Sequence, residues 1–336
     1  MPSMEQLVAP LESLPPVEFA FAYGSGVFPQ DNNTFLLHEA PMVDYILAVS
    51  CPSQWHSENL ETNPHHYSSM LAYLGGKTVA NMADIVGVGV HFNAFVHWGD
   101  KTIKYGVIGL DRLVQDIFTW KALYISGRLQ KPVRVIVDNA GLEKANRVNL
   151  QAAVCAALLL LPQEFSEEDL YTTICSLSYM GDVRLFFAED RNKVRKVVRG
   201  SSMKFHKLYQ ESLYQMAAMK MLELPAGFGK ELYLKLVQDV STPALCSLIT
   251  SLPSIVLQKM AFQFGVKPEL LINGNEEVVN LLQRHHRPTR LVRQAISGIV
   301  RTSSFRQMLS GFFASRSANA THYVIKKISK AWYSRH

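Results

Sequence analysis

The stretch Phe19-Ala20-Phe21-Ala22-Tyr23-Gly24-Ser25-Gly26 is an apolar run that ends in a corner of small residues. A second apolar run, Met42 to Val49, carries a single carboxylate, Asp44. A strand that stops at small residues leaves backbone N–H groups and a hydroxyl free to hold a phosphate, and an acid on a neighbouring strand can hold a divalent cation beside it. The two segments together predict the minimal layout of a nucleotidyl-transfer site. Taken alone, the Gly-Ser-Gly corner is equally typical of a plain turn.

Polar residues follow the Asp44 run at a place where a core-forming segment would be apolar. The segments are Trp55-His56-Ser57-Glu58-Asn59-Leu60 and Asn63-Pro64-His65-His66-Tyr67-Ser68. Because they are dense in hydrogen-bond donors and acceptors, they favour a loop that belongs to a site.

Several motifs occur in order along the chain. They are the Tyr23–Val27 corner, Asp44, the Trp55–Leu60 and His66–Ser68 segments, Lys104-Tyr105-Gly106-Val107-Ile108, Gly127-Arg128-Leu129-Gln130-Lys131-Pro132, Phe165-Ser166-Glu167-Glu168-Asp169-Leu170, and Ser178-Tyr179-Met180-Gly181-Asp182-Val183-Arg184. Together they resemble the mitochondrial translocator-assembly-and-maintenance family. Its members are peripheral phosphatidate cytidylyltransferases, also called CDP-diacylglycerol synthases. The resemblance implies CTP and phosphatidic acid as substrates, a role in cardiolipin and phosphatidylglycerol synthesis, and a location on the matrix side of the mitochondrial inner membrane.

Composition fits this expectation without demanding it. A chain of 336 residues with 48% hydrophobic content can bury one large core or two ordinary ones. The four cysteines are widely separated, which predicts reduced, mostly buried thiols and no zinc site. The longest apolar run, 152–161, is too short to cross a bilayer. The first eighteen residues carry three Glu and no Lys or Arg, so they do not predict a mitochondrial presequence.

Charge is distributed unevenly along the chain. Residues 284–336 hold eleven of the 34 basic residues and none of the 28 acidic ones, so this part carries +11 and the first 283 residues carry −5. A basic tail on a mildly acidic body indicates an anionic partner, either a membrane surface or nucleic acid.

Helical periodicity favours the membrane surface. Between residues 290 and 301, and again between 324 and 332, apolar residues share one side of a helix and basic residues the other. Such a helix suits a lipid interface, although either one can instead pack on the body with a solvated basic face. Nucleic acid is disfavoured because few aromatic residues stand between the charges.

The fold class predicted is α+β. Strands are expected at 19–24, 42–49, 102–109 and 133–137, and helices at 67–75 and 111–125. Residues 1–142 are thus interpreted as a catalytic domain of the nucleotidyltransferase type.

The rest of the chain is predicted to be mainly helical. Helices are expected at 143–161 and 168–178, the second started by Ser166 with acids in its first turn, and an extended segment is expected at 183–187. With the family resemblance, this order suggests a winged helix within residues 143–283. Residues 205–282 are expected to be helical scaffold, and residues 284–336 form the amphipathic basic tail.

The corner and its neighbours are assigned nucleotide-handling roles. Gly24, Ser25 and Gly26 are expected to cradle the β and γ phosphates, Asp44 to bind Mg²⁺, and Lys104 to meet the triphosphate, unless Lys104 is only a surface lysine. Further nucleotide-binding candidates are Tyr23, His56, Asn59, His66 and Tyr67.

A second metal ligand is needed because the broad superfamily places two acids as Asp-x-Asp, whereas here Asp44 is followed by Tyr45 and Ile46. Through the family motif the choice is Asp182, which can instead be a turn residue, and Asp138 is the alternative. The lipid phosphate calls for cations, for which the candidates are Arg128, Arg184, Lys193 and Arg195.

Two other classes of function stay open at this point. One is a nucleotidyltransferase that acts on RNA ends or on a small molecule, and the other is a non-catalytic factor that assists membrane-protein assembly. The oligomeric state cannot be inferred from the sequence.

Overall fold

The structure is a computed structural model that describes residues 2–28, 42–99, 101–184, 193–273, 275–284 and 288–314. Its secondary structure is mixed, with more helix than strand, so the predicted α+β class is confirmed.

A five-stranded mixed sheet organises the first part of the chain. Its strands are β1 (Phe19–Tyr23), β2 (Val43–Val49), β3 (Val90–Trp98), β4 (Lys101–Gly109) and β5 (Arg134–Val137), in the order β3-β4-β2-β1-β5. Strand β2 pairs antiparallel with β1 and parallel with β4, while β3 and β5 pair antiparallel at the two edges. The strand that leads into the glycine corner and the strand that carries Asp44 are therefore adjacent.

Helices cover both faces of this sheet. They are α1 (Met4–Val8), α2 (Pro52–Thr62), α3 (Ser69–Leu74), α4 (Gly76–Ile85), α5 (Leu110–Thr119) and α6 (Ser126–Leu129). On one face, which we call the rear face, Tyr45 and Leu47 of β2 pack with Leu7 and Trp55. On the other, the front face, Ile46 packs with Leu113 and Leu129. Alternate residues of one strand thus enter two different cores.

The second part of the chain begins with α7 (Ala140–Leu160) and continues through β6 (Glu164–Ser166), α8 (Glu167–Leu177), α9 (Lys193–Arg199), α10 (Ser202–Ala218), β7 (Leu222–Glu223) and β8 (Lys235–Gln238). The three short strands form a sheet in the order β6-β8-β7. Ser166 caps α8 in a capping box with Asp169, as the sequence predicts.

Five more helices complete the described residues. They are α11 (Thr242–Thr250), α12 (Ser254–Phe264), α13 (Pro268–Asn273), α14 (Asn275–Arg284) and α15 (Thr289–Ala314). Together with α7, α8 and α10 they enclose the largest core of the molecule.

The apolar face predicted at 290–301 lies inside this core rather than against lipid. Leu291, Val292, Ile296 and Val300 of α15 are all buried there. Packing on the body, the second of the two alternatives, is therefore the correct one for this stretch. The other amphipathic stretch, 324–332, lies outside the described residues.

Several element predictions were wrong in part. The segment 55–60, interpreted as part of a site loop, lies within α2. Residues 76–85 and 90–98 form a helix and a strand that were not predicted. The helix expected at 111–125 ends at Thr119, because Trp120 takes a left-handed conformation with φ of 54°. Of the extended segment expected at 183–187, only Val183 and Arg184 are described.

No single helix among the described residues is long and apolar enough to cross a membrane. Helices α11 and α12, which are bent by 119° at their junction, reach that length and apolar composition only when they are taken together. All four cysteines are free thiols, and Cys155, Cys175 and Cys246 are buried while Cys51 is exposed. The expectation of reduced, mostly buried cysteines is confirmed.

Candidate active site

Strand register places Asp44 at the centre of a cluster of polar side chains. Asp44 stands directly opposite Tyr23 of β1 and directly opposite Lys104 of β4. Residues paired across strands share a face, so all three side chains lie on the front face, at the end of the sheet where β1 finishes. The Gly24-Ser25-Gly26 corner follows Tyr23 at once. The corner and the acid, predicted from separate segments, are brought together.

The corner itself requires glycine at its first position. Gly24 has φ of +86°, and a Cβ atom there would lie 3.2 Å from Oδ2 of Asp44. Its carbonyl accepts hydrogen bonds from the N–H groups of Val27 (3.1 Å) and Phe28 (2.9 Å), which closes the turn. Ser25 is exposed at the tip. The backbone therefore passes close to the Asp44 carboxylate with no side chain between them.

Lys104 contacts both the acid and an aromatic ring. Its Nζ lies 3.6 Å from Oδ1 of Asp44 and 4.5 Å from the centre of the Phe92 ring. The ring occupies the space above Gly106, where a Cβ atom would come within 2.5 Å of it. Burial acts to lower the pKa of Lys104, but Tyr23 and Asp44 outweigh it, so the pKa is raised and the ammonium stays charged.

Tyr124 is the residue of the site that the sequence analysis missed. It follows α5 in the loop 120–125, and Arg128 of α6 lies over its ring with 4.1 Å from Cζ to the ring centre. Arg184 reaches it from the second part of the chain, with Nη1 3.5 Å from the Tyr124 hydroxyl. Burial would raise the pKa of Tyr124, but Arg128, Arg184 and Lys104 lower it to about 8. The tyrosine thus marks the meeting point of three cations.

A buried carboxylate fixes the loop that carries Tyr124. Asp116 of α5 accepts hydrogen bonds from the backbone N–H groups of five successive residues, 122–126, at 2.8–3.1 Å, and from the Ser126 hydroxyl. Trp120 and Leu123 adopt positive φ within this loop. Such backbone conformations are costly for non-glycine residues and persist where the surroundings impose them. No periodicity signals this arrangement in the sequence.

Arg128 is held between two tyrosines. Its Cζ lies 5.3 Å from the centre of the Tyr23 ring as well as 4.1 Å from that of Tyr124, and Nη1 donates a hydrogen bond to the Tyr124 carbonyl at 2.8 Å. Its buried Nε has no hydrogen-bond acceptor among the described residues. Arg128 is thereby fixed at the side of the Asp44 cluster.

Asp182 is buried and fully engaged with Arg184. The Arg184 Nε donates to Oδ1 of Asp182 at 2.9 Å, its Nη2 donates to Oδ2, and the Arg184 backbone N–H also donates to Oδ1. Burial acts to raise the pKa of Asp182, yet the Arg184 contacts lower it overall. Gly181, with φ of +83°, lets this turn lie against Ser297 of α15, where any Cβ would overlap. The geometry favours Asp182 as the residue that orients Arg184, and its role as metal ligand stays a prediction.

The four polar residues predicted from the 55–68 segment lie elsewhere. His56, Asn59, His66 and Tyr67 join a hydrogen-bonded network with Tyr105, whose side chain is on the rear face of the sheet. The first two and Tyr67 are buried. The sheet therefore stands between this network and Asp44, so the geometry does not favour direct contact of these residues with the same ligand.

The network also contains two residues that sequence reasoning did not select. Asn93 donates to the Tyr105 hydroxyl at 2.9 Å, and His91 contacts Asn93 at 3.1 Å. Burial lowers the pKa of His91 to about 4 and holds that of His56 well below 6.5. Both imidazoles are neutral, and the network supports β3 and β4 from behind.

The remaining candidates are not brought to Asp44. Asp138 follows β5, which runs antiparallel to β1, so it lies at the opposite end of the sheet and is exposed. Arg134 and Val137, the first and last residues of β5, are three residues apart, which is about 10 Å along the strand. The alternative prediction, that Asp138 is the second metal ligand, was therefore wrong. Arg195 is exposed on α9, and the side chain of Lys193 lies outside the described residues.

The side chains of this site can bind a divalent cation such as Mg²⁺ only together with the phosphate oxygens of a bound substrate. Among the described residues, no group of three or more His, Cys, Asp or Glu side chains could hold a metal by itself. Magnesium commonly binds through one or two carboxylates plus substrate phosphates. Asp44, partly exposed and next to the backbone of Gly24, can supply the one carboxylate that this mode of binding needs.

An acid, a paired lysine and two arginines near a glycine corner are the groups expected at a polyphosphate site of the kind that nucleotidyltransferases have. Comparison with known proteins makes the assignment specific. Residues 5–330 match the family described as "Phosphatidate cytidylyltransferase, mitochondrial". The chain belongs to this family.

Individual relatives with that same name cover nearly the whole chain. The protein of Danio rerio is 37% identical over 318 residues, which are 93% of this chain and 90% of the relative. That of Mus musculus is 35% identical over 94% of this chain and 91% of the relative. That of Schizosaccharomyces pombe is 32% identical over 95% and 81%. The resemblance stated from motifs is confirmed.

Proposed function

We propose that this chain transfers CMP from CTP to phosphatidic acid, forming CDP-diacylglycerol and pyrophosphate. The observation that carries the proposal is the juxtaposition of Asp44 with Gly24 and Lys104 at one end of the sheet. Family membership supplies the identity of the two substrates, which side-chain geometry alone would not distinguish from other phosphate compounds.

The reaction is an in-line displacement at phosphorus. An oxygen of the phosphatidate monoester attacks the α-phosphorus of CTP, a new P–O–P bond forms, and the bond between Pα and the bridging oxygen of the β-phosphate breaks as pyrophosphate leaves. The attacking phosphate is already ionised near neutral pH, so no general base is required. The task of the protein is positioning and charge stabilisation.

Each residue of the front-face cluster has a place in this scheme. The amides of Ser25 and Gly26 with the Ser25 hydroxyl hold the β and γ phosphates, while Lys104 contacts the triphosphate beside Asp44. The ring of Tyr23 closes that side of the site. Bound Mg²⁺, held by Asp44 together with the phosphates, would neutralise charge on the triphosphate. The predicted second ligand, Asp182, can take part only if Arg184 releases it.

The phosphate of the lipid needs its own cations. Arg128 and Arg184 both contact Tyr124, so two guanidinium groups face one point at the edge of the triphosphate site. Guanidinium groups pair with phosphate oxygens in bidentate fashion. We assign them to the phosphatidate monoester, with Lys193 as a further candidate.

At the level of fold, we interpret residues 1–142 as a nucleotidyltransferase domain and residues 143–283 as a winged-helix-like domain. Support for the second comes from the order α7, β6, α8, α9, α10, β7, β8 and from the strand order β6-β8-β7. The basic residues of 284–336 support docking on an anionic membrane surface, in line with a peripheral enzyme of the mitochondrial inner membrane facing the matrix. Nucleic acid is not part of this proposal.

The test offers labelled CTP, carrying the label on its α-phosphate, with magnesium and either phosphatidic acid vesicles or RNA. Label is expected in the lipid and not in RNA, and omission of magnesium is expected to abolish transfer. Label that passes to RNA alone would support the alternative nucleotidyltransferase. If Asp44→Ala leaves biological function intact, a non-catalytic assembly factor would be the better description.

A further inference from the structure

Arg128 and Arg184, the two arginines assigned to the lipid phosphate, belong to different parts of the chain. Arg128 is in α6, beside the five-stranded sheet, whereas Arg184 follows α8 in the second part. Both guanidinium groups contact the Tyr124 ring, with Cζ atoms 4.1 Å and 5.7 Å from its centre. Two cations bind one phosphate together only if their separation matches its oxygens. The contact that holds the second part of the chain against α6 therefore decides how this pair fits a phosphate.

The segment that carries Arg184 packs directly on α6. It is the turn 178–184, which begins at the end of α8 and which we call the arginine turn. A Cβ atom on Gly127 of α6 would overlap Cβ of Ser178, the first residue of this turn. The lack of a side chain at Gly127 is thus what allows the arginine turn to lie so close to α6. Since Gly127 immediately precedes Arg128, the contact lies beside the first of the two arginines.

The ammonium group of Lys131 closes this contact. Its Nζ donates a hydrogen bond to the Gly127 carbonyl at 3.0 Å and another to the Ser178 hydroxyl at 2.6 Å. The same Nζ lies 4.5 Å from the centre of the Tyr179 ring. A lysine has three N–H donors, and hydrogen bonds from a charged donor are among the strong ones. Lys131 therefore holds the start of the arginine turn to α6.

Hydrogen bonds inside the arginine turn carry this placement to Arg184. The Asp182 N–H donates to the Tyr179 carbonyl at 3.1 Å, and Oδ1 of Asp182 accepts from Nε and from the backbone N–H of Arg184, both at 2.9 Å. On its other side the turn contacts α15, where the Ser304 hydroxyl accepts from the Val183 N–H at 3.2 Å. A direct contact thus makes each step between α6 and the Arg184 guanidinium.

We propose that Gly127, Lys131 and Ser178 form a clamp that positions Arg184 beside Arg128, so that both guanidinium groups bind the phosphate monoester of phosphatidic acid together. The three are positioning residues, because they act through Arg184. This inference rests on the proposed function, which supplies the lipid phosphate as the ligand of the two arginines. The groups assigned to CTP lie on or next to β1, β2 and β4, which are other elements. Loosening the clamp should therefore weaken the binding of phosphatidate and spare that of CTP.

Calorimetric titration of the full chain with a short-chain, water-soluble phosphatidate tests the clamp without turnover and without vesicles. Lys131→Met keeps the aliphatic stem and removes the donors, and it is expected to weaken phosphatidate binding at least about tenfold. The affinity for CTP with magnesium should stay within about twofold of the parent. Ser178→Ala, which removes one acceptor, should show the same pattern at smaller size. The matched control is Lys144→Met, at an exposed position of α7, which should bind both substrates like the parent.

A double-variant cycle distinguishes positioning from a general structural role. In the Arg184→Gln background the second arginine no longer binds the phosphate, so adding Lys131→Met is expected to change phosphatidate binding by less than about twofold. Losses that multiply in the double variant would overturn the proposal, because Lys131 would then act on something other than Arg184. Thermal unfolding of each variant checks that it is folded, and Ser178→Ala takes the place of Lys131→Met in the cycle if the latter is not.

The parent chain separates this proposal from the proposed function. A parent that binds CTP but neither binds phosphatidate nor transfers CMP to it would refute the proposed function. A parent that does both, and whose phosphatidate binding is unchanged by Lys131→Met, would refute the clamp alone. Equal weakening of CTP and phosphatidate binding by Lys131→Met would also refute the clamp, since the loss would then not be confined to the lipid phosphate.

Discussion

At the scale of the residue, the site depends on one carboxylate placed between a glycine corner and a lysine. Asp44 lies opposite Tyr23 on one neighbouring strand and opposite Lys104 on the other, so three segments distant in sequence meet at one side chain. The sequence predicted both the corner and the acid because each interrupts an apolar run. The choice of Asp182 over Asp138 as second metal ligand came from the family motif, since both residues are single acids near turns and their chemistry alone does not separate them. Strand direction made that distinction by placing Asp138 at the far end of the sheet.

Replacing Asp44 with Asn is expected to lower the rate of CMP transfer by at least about 100-fold, because a neutral amide neither binds magnesium nor balances the charge of Lys104. The matched control is Asp138→Asn, which changes the same functional group at the other end of the sheet. Its rate should stay within about twofold of the parent. Steady-state transfer with labelled CTP measures both variants, and equal losses in the two would remove Asp44 from the reaction centre.

At the scale of the element, the loop between α5 and α6 is the part of the site least readable in the sequence. Residues 111–125 have the periodicity of one helix, yet the helix stops at Trp120. The cause is tertiary: Asp116 accepts five backbone N–H groups that an extended helix would have used internally. Tyr124 and Arg128 consequently lie at the front face. If the helix continued without a break, neither residue would lie there.

Asp116→Ala is expected to destabilise this loop strongly, because several buried N–H groups would lose their acceptor at about 1–3 kcal/mol for each one left unsatisfied. The midpoint of thermal unfolding should fall by at least about 5 °C, and transfer activity should fall with it even below that midpoint. Asp111→Ala, an exposed carboxylate in the first turn of the same helix, serves as the control. A change of less than about 1 °C in Asp116→Ala would contradict the assigned role.

At the scale of the whole molecule, the five-stranded sheet separates two groups of polar residues, one on each of its faces. The front face holds the charged cluster, while the rear face holds the neutral network around Tyr105. The segment 55–68 was interpreted as part of the site because it is polar, but its helix turns Trp55, His56 and Asn59 inward. Polarity in sequence does not distinguish a buried, internally satisfied network from an exposed binding loop, since both need donors and acceptors.

The buried histidines predict a loss of stability in acid. In the folded state the pKa of His91 is about 4, against 6.5 when unfolded, and that of His56 is also lowered. Between these values the unfolded chain binds protons that the folded chain does not. Stability therefore falls as the pH drops below 6.5, by up to about 1.4 kcal/mol per pH unit for each histidine, and it does not change through these groups at higher pH.

Urea unfolding between about pH 7.5 and pH 4.5 measures this slope. His91→Gln should reduce the slope by about one proton, and His97→Gln, at an exposed position of the same strand, is the matched control for the substitution itself. A slope that is the same in the parent and in His91→Gln would show that His91 is not the titrating group.

The sequence by itself determined the α+β class, the pairing of a glycine corner with a lone acid, the family, and the separation of a basic C-terminal segment from a mildly acidic body. These features depend on local composition and on residues adjacent in sequence. Only the tertiary structure decided which face of the sheet each polar group occupies, that Tyr124 joins the site, and that α15 buries the apolar face predicted at 290–301 in the core. The physical reason is that face and exposure follow from what packs against a residue, and those partners are distant in sequence.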